Sequence, residues 1–298
     1  PARGPGRDAA PVRAVSYNVC GLGAGFGAYD DARVTATYAR LRGDLERLAP
    51  HIVCLQEARR LPLRDPSGQL RDDSLDALAE DLGMELLFAH ATPGFEKFGN
   101  AILVGRGLRV LGSAAVHLDG GSVVRTPAGA AKKIVRGCLA ARVASGGEEE
   151  GQFAVLATHW DHISEAERVT QARDLVGRAA ELAGGLPHLV LGDLNAMKRS
   201  DYTDAQWAAI EARNAERGWA SPQDSPALAV LEAAGYADLL RATLDGRAGA
   251  SSGGPPGAAA PPERFSAVRG VPVRLDYAYA SPGWPGGAAW IDASSGAS

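Results

Sequence analysis

Six side chains able to do acid–base or ligand chemistry stand where plain core strands would carry valine or leucine. They are Asn18 in SYNV, Glu57 in CLQE, His159 in ATHWDH, Asp193 and Asn195 in LGDLNA, and Asp276 in RLDYAYA. Burying a lone carboxylate or imidazole is costly unless the group is paired or holds a metal, so repeated placement of this kind asks for one shared site. Asp193 and Asn195 are two residues apart, which on an extended chain puts both side chains on the same face. A carboxylate there can orient and deprotonate a water, and the amide beside it can hydrogen-bond a phosphoryl oxygen without adding negative charge. Glu57 and Asn18 supply hard oxygen donors, which suit Mg²⁺ better than the N and S donors of zinc sites would. With so few carboxylates and no thiolate cluster, one octahedral Mg²⁺ that keeps several waters fits best, with Mn²⁺ as its substitute. Its task would be to polarise a phosphoryl oxygen while an ester P–O bond breaks, with His159 donating to phosphate or leaving group.

These residues need strands and helices to bring them together. VRAVSYNV (12–19) alternates apolar and polar residues and runs into the glycine-rich stretch 21–27, which reads as a strand entering a loop. Val34, Tyr38, Leu41, Leu45 and Leu48 then fall at helical spacing over 31–48, with Asp30 or Asp31 as N-cap. HIVCLQE (51–57) has the continuous apolar character of a strand buried on both faces. Residues 74–82 form the next helix by period. MELLFAH, NAILVGR, RVLGSAAVHL, KKIVRGCLAARV and QFAVLATHW are strands, the last ending on polar side chains. A helix follows over 164–182, with Ser164 as cap and Glu167 in capping-box position. LPHLVLGDLNA is again a buried strand, 204–217 and 225–235 are helices, and VPVRLDYAYA is the last strand. Residues 246–262, made largely of Gly, Ala, Ser and Pro, lack the apolar bulk to pack and read as a mobile surface loop. Strands separated by helices in some places and tight turns in others predict mixed sheets in one α/β domain over 12–298, behind a disordered tail at 1–11.

Composition narrows the class further. Of 298 residues, 46% are hydrophobic and 22% charged, which excludes disordered, collagen-like and coiled-coil chains. Thirty-one basic against 35 acidic residues give a formal net charge of -4, so the chain is not a generally basic nucleic-acid-coating protein. Cys20, Cys54 and Cys138 lie in or beside apolar segments with no C-x-x-C pair, and read as reduced core thiols of an intracellular protein. No apolar run approaches the roughly 20 residues needed to cross a bilayer, and no signal-peptide core opens the chain. The sequence begins at Pro1 rather than Met, which implies an upstream piece and leaves the compartment weakly constrained.

SYNVCGL, CLQE, GNAIL, THWDH, GDLN and RLDY occur in that order, and with them the chain resembles the endonuclease/exonuclease/phosphatase superfamily. This group is built on the DNase I-like fold and includes exonuclease III, inositol polyphosphate 5-phosphatases, sphingomyelinases and deadenylases. The resemblance runs from Val12 to the end and implies a four-layer α/β/β/α sandwich of two mixed sheets, with a divalent-metal phosphoesterase site at one rim. It implies that Asn18 lies near metal and phosphate and that Glu57 is the principal metal-binding glutamate. His159 would contact the scissile phosphate, Asp193 activate water and Asn195 orient phosphate. Asp276 would orient a final histidine, found in the superfamily in a C-terminal Ser-Asp-His before one last strand. The chain stops at SSGAS with Ser298 in the serine's place, so the missing Asp and His are expected as the next two residues. Without them the general acid–base contribution should fall by roughly 10²- to 10⁴-fold. THWDHISEAERVTQ and GDLNAMKRSDYTDAQW are most similar to uncharacterised plant and algal members.

Plainer readings compete at single positions. Gly23, Gly25 and Ala28 spell G-x-G-x-x-A between strand and helix, close to a dinucleotide fingerprint, but three residues intervene after the strand and the acidic Glu57 comes late. HWDH matches the end of a metallo-β-lactamase H-x-H-x-D-H pattern, yet Ala157 occupies the first ligand's place. Asp276 has an ion pair with Arg274 or Arg269 as its structural alternative, Asp161 is a candidate for orienting His159, and His162 reads as a surface or supporting residue. Glu165 and Arg168 read as solvated helix residues, and Lys132, Lys133 and Arg136 as an exposed basic strand edge, with phosphate steering as the sharper alternative. Taken together the motifs predict a metal-dependent hydrolase of phosphodiesters or phosphomonoesters. Its substrate would be a nucleic acid, a phospholipid headgroup or a soluble phosphoester, and the alternative is a catalytically silent phosphate- or partner-binding domain of the same fold.

Overall fold

The computed structural model describes residues 11–23, 30–64, 68–91, 97–125, 129–145, 151–246, 266–268, 271–287 and 289. The tail expected at 1–11 and the loop expected at 246–262 fall, but for Pro11 and Gly246, outside the described residues. In chain order come β1 (Ala14–Asn18), α1 (Asp31–Leu48), β2 (Ile52–Arg59), the short pair β3 (Leu63–Arg64) and β4 (Leu70–Arg71), α2 (Ser74–Leu82), β5 (Met84–His90) and β6 (Phe98–Gly105). Next are β7 (Leu108–His117), the hairpin of β8 (Val123–Arg125) and β9 (Ala131–Lys133), β10 (Gly137–Ser145), β11 (Gln152–His159), α3 (Glu165–Leu182) and β12 (His188–Asp193). The chain continues with α4 (Asp204–Glu216), α5 (Pro226–Ala233), β13 (Ala237–Asp238), α6 (Leu239–Leu244), a second hairpin of β14 (Ser266–Val268) and β15 (Val271–Val273), and β16 (Asp276–Ala280).

Two sheets carry the fold, ordered β1-β2-β6-β5 and β13-β16-β12-β11-β10-β7. Both are mixed: β1 runs parallel to β2 and β11 parallel to β12, and the remaining pairs are antiparallel. Alternation along each strand builds the layers. In β2, Ile52 and Cys54 pack with Ile102 and Val104 against Leu139, Val143, Val155 and Leu191 of the other sheet. Val53 and Leu55 face the opposite way, onto Val34, Tyr38, Leu41 and Leu45 of α1 and Leu75 and Leu78 of α2. The outer face of the second sheet does the same with Leu156 and Val190 under Leu175, Leu182, Leu228 and Leu231 of α3 and α5. Helix, sheet, sheet, helix is the four-layer sandwich expected, and no helix among the described residues is long and apolar enough to cross a membrane.

Parallel pairing decides where the chemistry goes. β1-α1-β2 and β11-α3-β12 are each a strand, a crossover helix and a parallel strand, so each unit delivers two carboxyl strand ends to the same edge of its sheet. Asp30 caps α1 by accepting from the Arg33 N–H, and Ser164 caps α3 by accepting from the Glu167 N–H. The capping box expected on α3 is not closed by Glu167, whose Oε2 accepts instead from the Gly121 N–H at 2.6 Å. Thr203 and Gln206 form a full capping box on α4.

Several expected elements differ. KKIVRGCLAARV is not one strand: 131–133 belong to the β8–β9 hairpin and the sheet strand starts at Gly137. VPVRLDYAYA splits likewise into β15 and β16, because Arg274 between them turns inward to pair with Asp201 at 3.1 Å and Asp238 at 2.6 Å. Cys54 and Cys138 are buried as expected, but Cys20 is exposed, since the chain leaves β1 through left-handed backbone at Cys20 (φ +45°) and Leu22 (φ +57°). Glu165 and Arg168 are not solvated. Glu165 accepts from Ser225 Oγ and the Ala227 N–H, tying α3 to α5, and Arg168 donates to the Asp161 carbonyl at 2.8 Å.

Candidate active site

The register puts three of the expected residues side by side. His159 on β11 is the Cα partner of Asp193 on β12, and Asp193 is the partner of Asp276 on β16. Strand spacing of about 4.8 Å makes this a row roughly 10 Å long with all three side chains on one face, toward the other sheet. Asn18 comes from that other sheet: its Nδ2 donates to Glu57 Oε1 at 3.2 Å and to Asp193 Oδ2 at 2.9 Å, closing the gap between the sheets. His159 Nε2 stands 3.8 Å from Glu57 Oε1 and 4.0 Å from Asp193 Oδ2, beyond hydrogen-bond reach of either. Asn195 donates its main-chain N–H to Asp193 Oδ1 at 2.9 Å and its Nδ2 to the Trp160 carbonyl at 3.1 Å. All six residues singled out in the sequence therefore meet at one rim.

Two of them are held in unusual backbone. Glu57 (φ +50°) and Asn195 (φ +48°) both adopt left-handed conformations that non-glycine residues rarely take. Glu57 sits where the β2–β6 register slips between Leu55 and Ala58, a bulge that re-aims its carboxylate out of the strand's alternation. Asn195 lies beyond the end of β12, so a turn, and not the two-residue repeat of an extended strand, brings its N–H back to Asp193. Strain of this kind persists where surrounding contacts over-determine it, and here it falls on two site residues. The approach of β12 to β11 depends on Gly192, where a Cβ would stand 1.8 Å from the Thr158 carbonyl oxygen.

Burial sets the charge states. It pushes the Asp193 carboxyl up to about 6, against the pull of hydrogen bonds from Asn18 and the Asn195 N–H, and the nearby Glu57 charge adds to the rise. Asp276 is pushed up to about 8, first by burial and then by the Asp193 charge, with Arg274 acting in the opposite sense. Arg274 is committed to Asp201 and Asp238, so the expected alternative of an Arg274 ion pair does not describe Asp276; Arg269 lies outside the described residues. Asp276 Oδ1 is buried with no hydrogen-bond partner among the described residues. A carboxyl whose folded pKa is raised stabilises fully below its unfolded value of about 4 and loses that contribution as pH rises through the folded value. Asp276→Asn should therefore stabilise the metal-free protein, more at pH 8 than at pH 5. The gain at pH 8 is on the order of 2 kcal/mol after the cost of burying a new amide N–H. Urea unfolding at the two pH values measures it; an equal gain at both, or a loss at pH 8, would contradict the buried-charge account.

The imidazole of His159 is held by Arg136, which the sequence placed on a basic strand edge or in phosphate steering and not under a histidine. Arg136 is buried, and its Nη1 lies 3.0 Å from His159 Nδ1 while its Nη2 lies 2.9 Å from His162 Nδ1. Burial and then the Arg136 charge keep His159 neutral, well below the usual imidazole range. Arg136 is thus no part of an exposed basic edge, although Lys133 is exposed. Asp161 does not orient His159 either. It accepts from the Ser122 N–H and hydroxyl and from the Ile163 and Ser164 N–H groups, all at 2.8 Å. Against its burial, these bonds hold its carboxyl below the ordinary value and pin loop 119–122 to the segment after β11. Asn100, present in the GNAIL motif but given no role from sequence, is buried and donates across the sheets to the Gly137 carbonyl at 3.0 Å.

The donors suit a hard divalent cation held lightly. No three of the described His, Cys, Asp and Glu residues close into a preformed cage. One half-buried carboxylate at Glu57 facing a second at Asp193 is the oxygen-rich, charge-repelling arrangement that a largely hydrated Mg²⁺ or Mn²⁺ relieves. Asn18, expected as a second ligand, turns its amide nitrogen to the two carboxylates, because its Oδ1 accepts from the Cys20 N–H at 2.9 Å. As placed it offers the site a donor.

A two-sheet sandwich with carboxylates, amides and a neutral imidazole gathered at the carboxyl ends of its parallel strands defines a class of α/β protein. The family model described as Endonuclease/Exonuclease/phosphatase family matches residues 15–298, and the chain belongs to that family. Solved structures agree in fold. The human Nocturnin catalytic domain with bound sulfate is 17% identical with a TM-score of 0.55, over 91% of this chain and 82% of that one. The mannosyl-6-phosphatase Bt3783 of Bacteroides thetaiotaomicron is 17% identical with a TM-score of 0.54, over 92% and 86%. An endonuclease/exonuclease/phosphatase from Bacteroides vulgatus is 15% identical with a TM-score of 0.53, over 91% and 87%. No curated protein matches the chain.

Proposed function

We propose that the protein hydrolyses phosphate esters with the help of a divalent cation, Mg²⁺ or Mn²⁺, held through the Glu57 carboxylate. The observation that carries this reading is the meeting of Asn18, Glu57, His159 and Asp193 from two sheets within hydrogen-bond or near-contact distance. When bound, the cation supplies positive charge that polarises a phosphoryl oxygen and offsets charge building up at the transition state. Asp193 is the general base: its Oδ2 is fixed by Asn18, its Oδ1 by the Asn195 N–H, and burial makes the carboxylate a better proton acceptor for a water attacking phosphorus in line. His159, neutral, donates to a phosphoryl oxygen without adding the desolvation cost of a full charge. Asn195, which gives one amide N–H to the Trp160 carbonyl and keeps the other, orients the same group. Asn18, whose amide hydrogens go to Glu57 and Asp193, positions those two carboxylates, and Asp276 completes the carboxylate row at its far end.

Family membership and a phosphatase sharing the fold support the reading at the level of reaction class. Its test is a panel of phosphodiesters and phosphomonoesters, covering oligonucleotides, phospholipid headgroups and sugar phosphates, assayed with Mg²⁺, Mn²⁺ and chelator. Hydrolysis of at least one substrate that is lost with chelator and restored by Mg²⁺ is expected. Metal-independent turnover would rule out the role given to Glu57, and no turnover on any substrate would favour a silent binding domain.

A further inference from the structure

We infer that Arg136 is a positioning residue that forks onto two imidazoles and fixes both His159 and His162 as neutral Nε2–H donors, making His162 a second phosphate-binding side chain. The argument starts from the donor count. A guanidinium has five N–H groups and no acceptor, so an imidazole nitrogen at hydrogen-bond distance from it must be the acceptor. Arg136 Nη1 and Nη2 meet His159 Nδ1 and His162 Nδ1 at 3.0 and 2.9 Å. Each neutral ring then has its single proton on Nε2. For His159 that proton faces the space bounded by Glu57 Oε1 and Asp193 Oδ2. His162 is exposed as a residue and close enough to Glu57 to feel its charge, which puts its ring within reach of a ligand at the same rim. A planar fork can hold two rings at once, which a lysine ammonium on a single flexible stem does not reproduce.

The residue's surroundings fit a role beyond packing. Arg136 is 6% exposed, its Nε has no hydrogen-bond partner among the described residues, and its charge lies among Glu57, Asp161 and Asp193. A buried cation with an unsatisfied nitrogen is an expensive way to fill space. Its main chain is fixed from the neighbouring loop, since the Arg136 carbonyl accepts from the Leu118 N–H at 2.8 Å, and Asp161 clamps the opposite side of that loop through Ser122. The hydroxyl, carboxylate and guanidinium thus form one scaffold beneath the two imidazoles.

Nitrogen-15 spectra of the histidine rings in the metal-free protein test the tautomers directly. Both rings of the wild-type protein should show a protonated Nε2 and an unprotonated Nδ1, and titration with inorganic phosphate should move both Nε2 signals. Arg136→Lys and Arg136→Met should leave at least one ring as a mixture of tautomers. Only the catalytic consequence rests on the phosphoesterase reading: kcat/KM should fall about 10²-fold in Arg136→Met and about tenfold in His162→Ala, whose exposed ring is not needed for folding. A proton on Nδ1 of either ring in the wild-type protein overturns the inference, even if Arg136→Met fails to fold. So does a His162 signal unmoved by phosphate, or a His162→Ala kcat/KM within twofold of wild type. A protein with no phosphoesterase activity but both tautomers and the phosphate shift as stated would refute the proposed function and leave this inference standing.

Discussion

Asp193→Asn protein is expected to hydrolyse phosphate esters about 10³-fold more slowly than the wild type, within the range a positioned general base contributes, with little change in KM. The substitution is nearly isosteric, and the two hydrogen bonds that hold the side chain, from Asn18 Nδ2 at 2.9 Å and the Asn195 N–H at 2.9 Å, define what changes. An asparagine oxygen can accept one of them, so the local frame survives, but the amide cannot take a proton from water. Removing a buried carboxylate that sits beside Glu57 also relieves like-charge repulsion, so the fold should not suffer. A rate loss in kcat with unchanged or higher Tm is the signature of a lost base. A loss accompanied by a collapse in Tm would say instead that Asp193 holds the sheets together, and undiminished Mg²⁺-dependent turnover would remove it from the chemistry altogether.

Elements with clean periodicity were legible in the sequence. MELLFAH forms a strand over its full length, 74–82 is helical as the pattern implies, and the five apolar positions of α1 are all buried. What the pattern hid were interruptions enforced by long-range polar contacts. Arg274 breaks VPVRLDYAYA because its partners Asp201 and Asp238 lie elsewhere in the chain, and nothing local to the strand announces them. The convergence of Asn18, Glu57, His159, Asp193 and Asp276 was readable because polar groups ending apolar strands are expensive in isolation. The means of convergence was less so: left-handed Glu57 has no signature in residue type, and at Asn195 asparagine tolerates left-handed backbone without announcing it. Arg136 was the clearest miss among single residues. Written after two lysines it resembles a surface charge, and only the fold shows that the chain turns its guanidinium under the two histidines.

Glu57→Gln protein should lose the response to divalent cation as well as most of its activity. In the wild type, Mg²⁺ at 100 times its dissociation constant should add about 2.7 kcal/mol of stability, seen as a rise of several degrees in Tm. The variant's Tm should be flat with Mg²⁺. The activity lost is the cation's share of transition-state stabilisation, several kcal/mol, which at 1.36 kcal/mol per decade is about 10³-fold. The choice of glutamine matters because Oε1 is the atom that accepts from Asn18 Nδ2 at 3.2 Å, and an amide oxygen keeps that bond while giving up the charge. Glu57 also occupies a bulge in left-handed backbone, so an alanine there would mix a lost ligand with relaxed strain, whereas glutamine leaves backbone and volume alone. Calorimetric titration with Mg²⁺ and Mn²⁺, run beside thermal melts, separates the two effects. A variant that still binds Mg²⁺ with wild-type affinity would move the cation away from Glu57, and the carboxylate row of Asp193 and Asp276 would then be the place to look for its ligands.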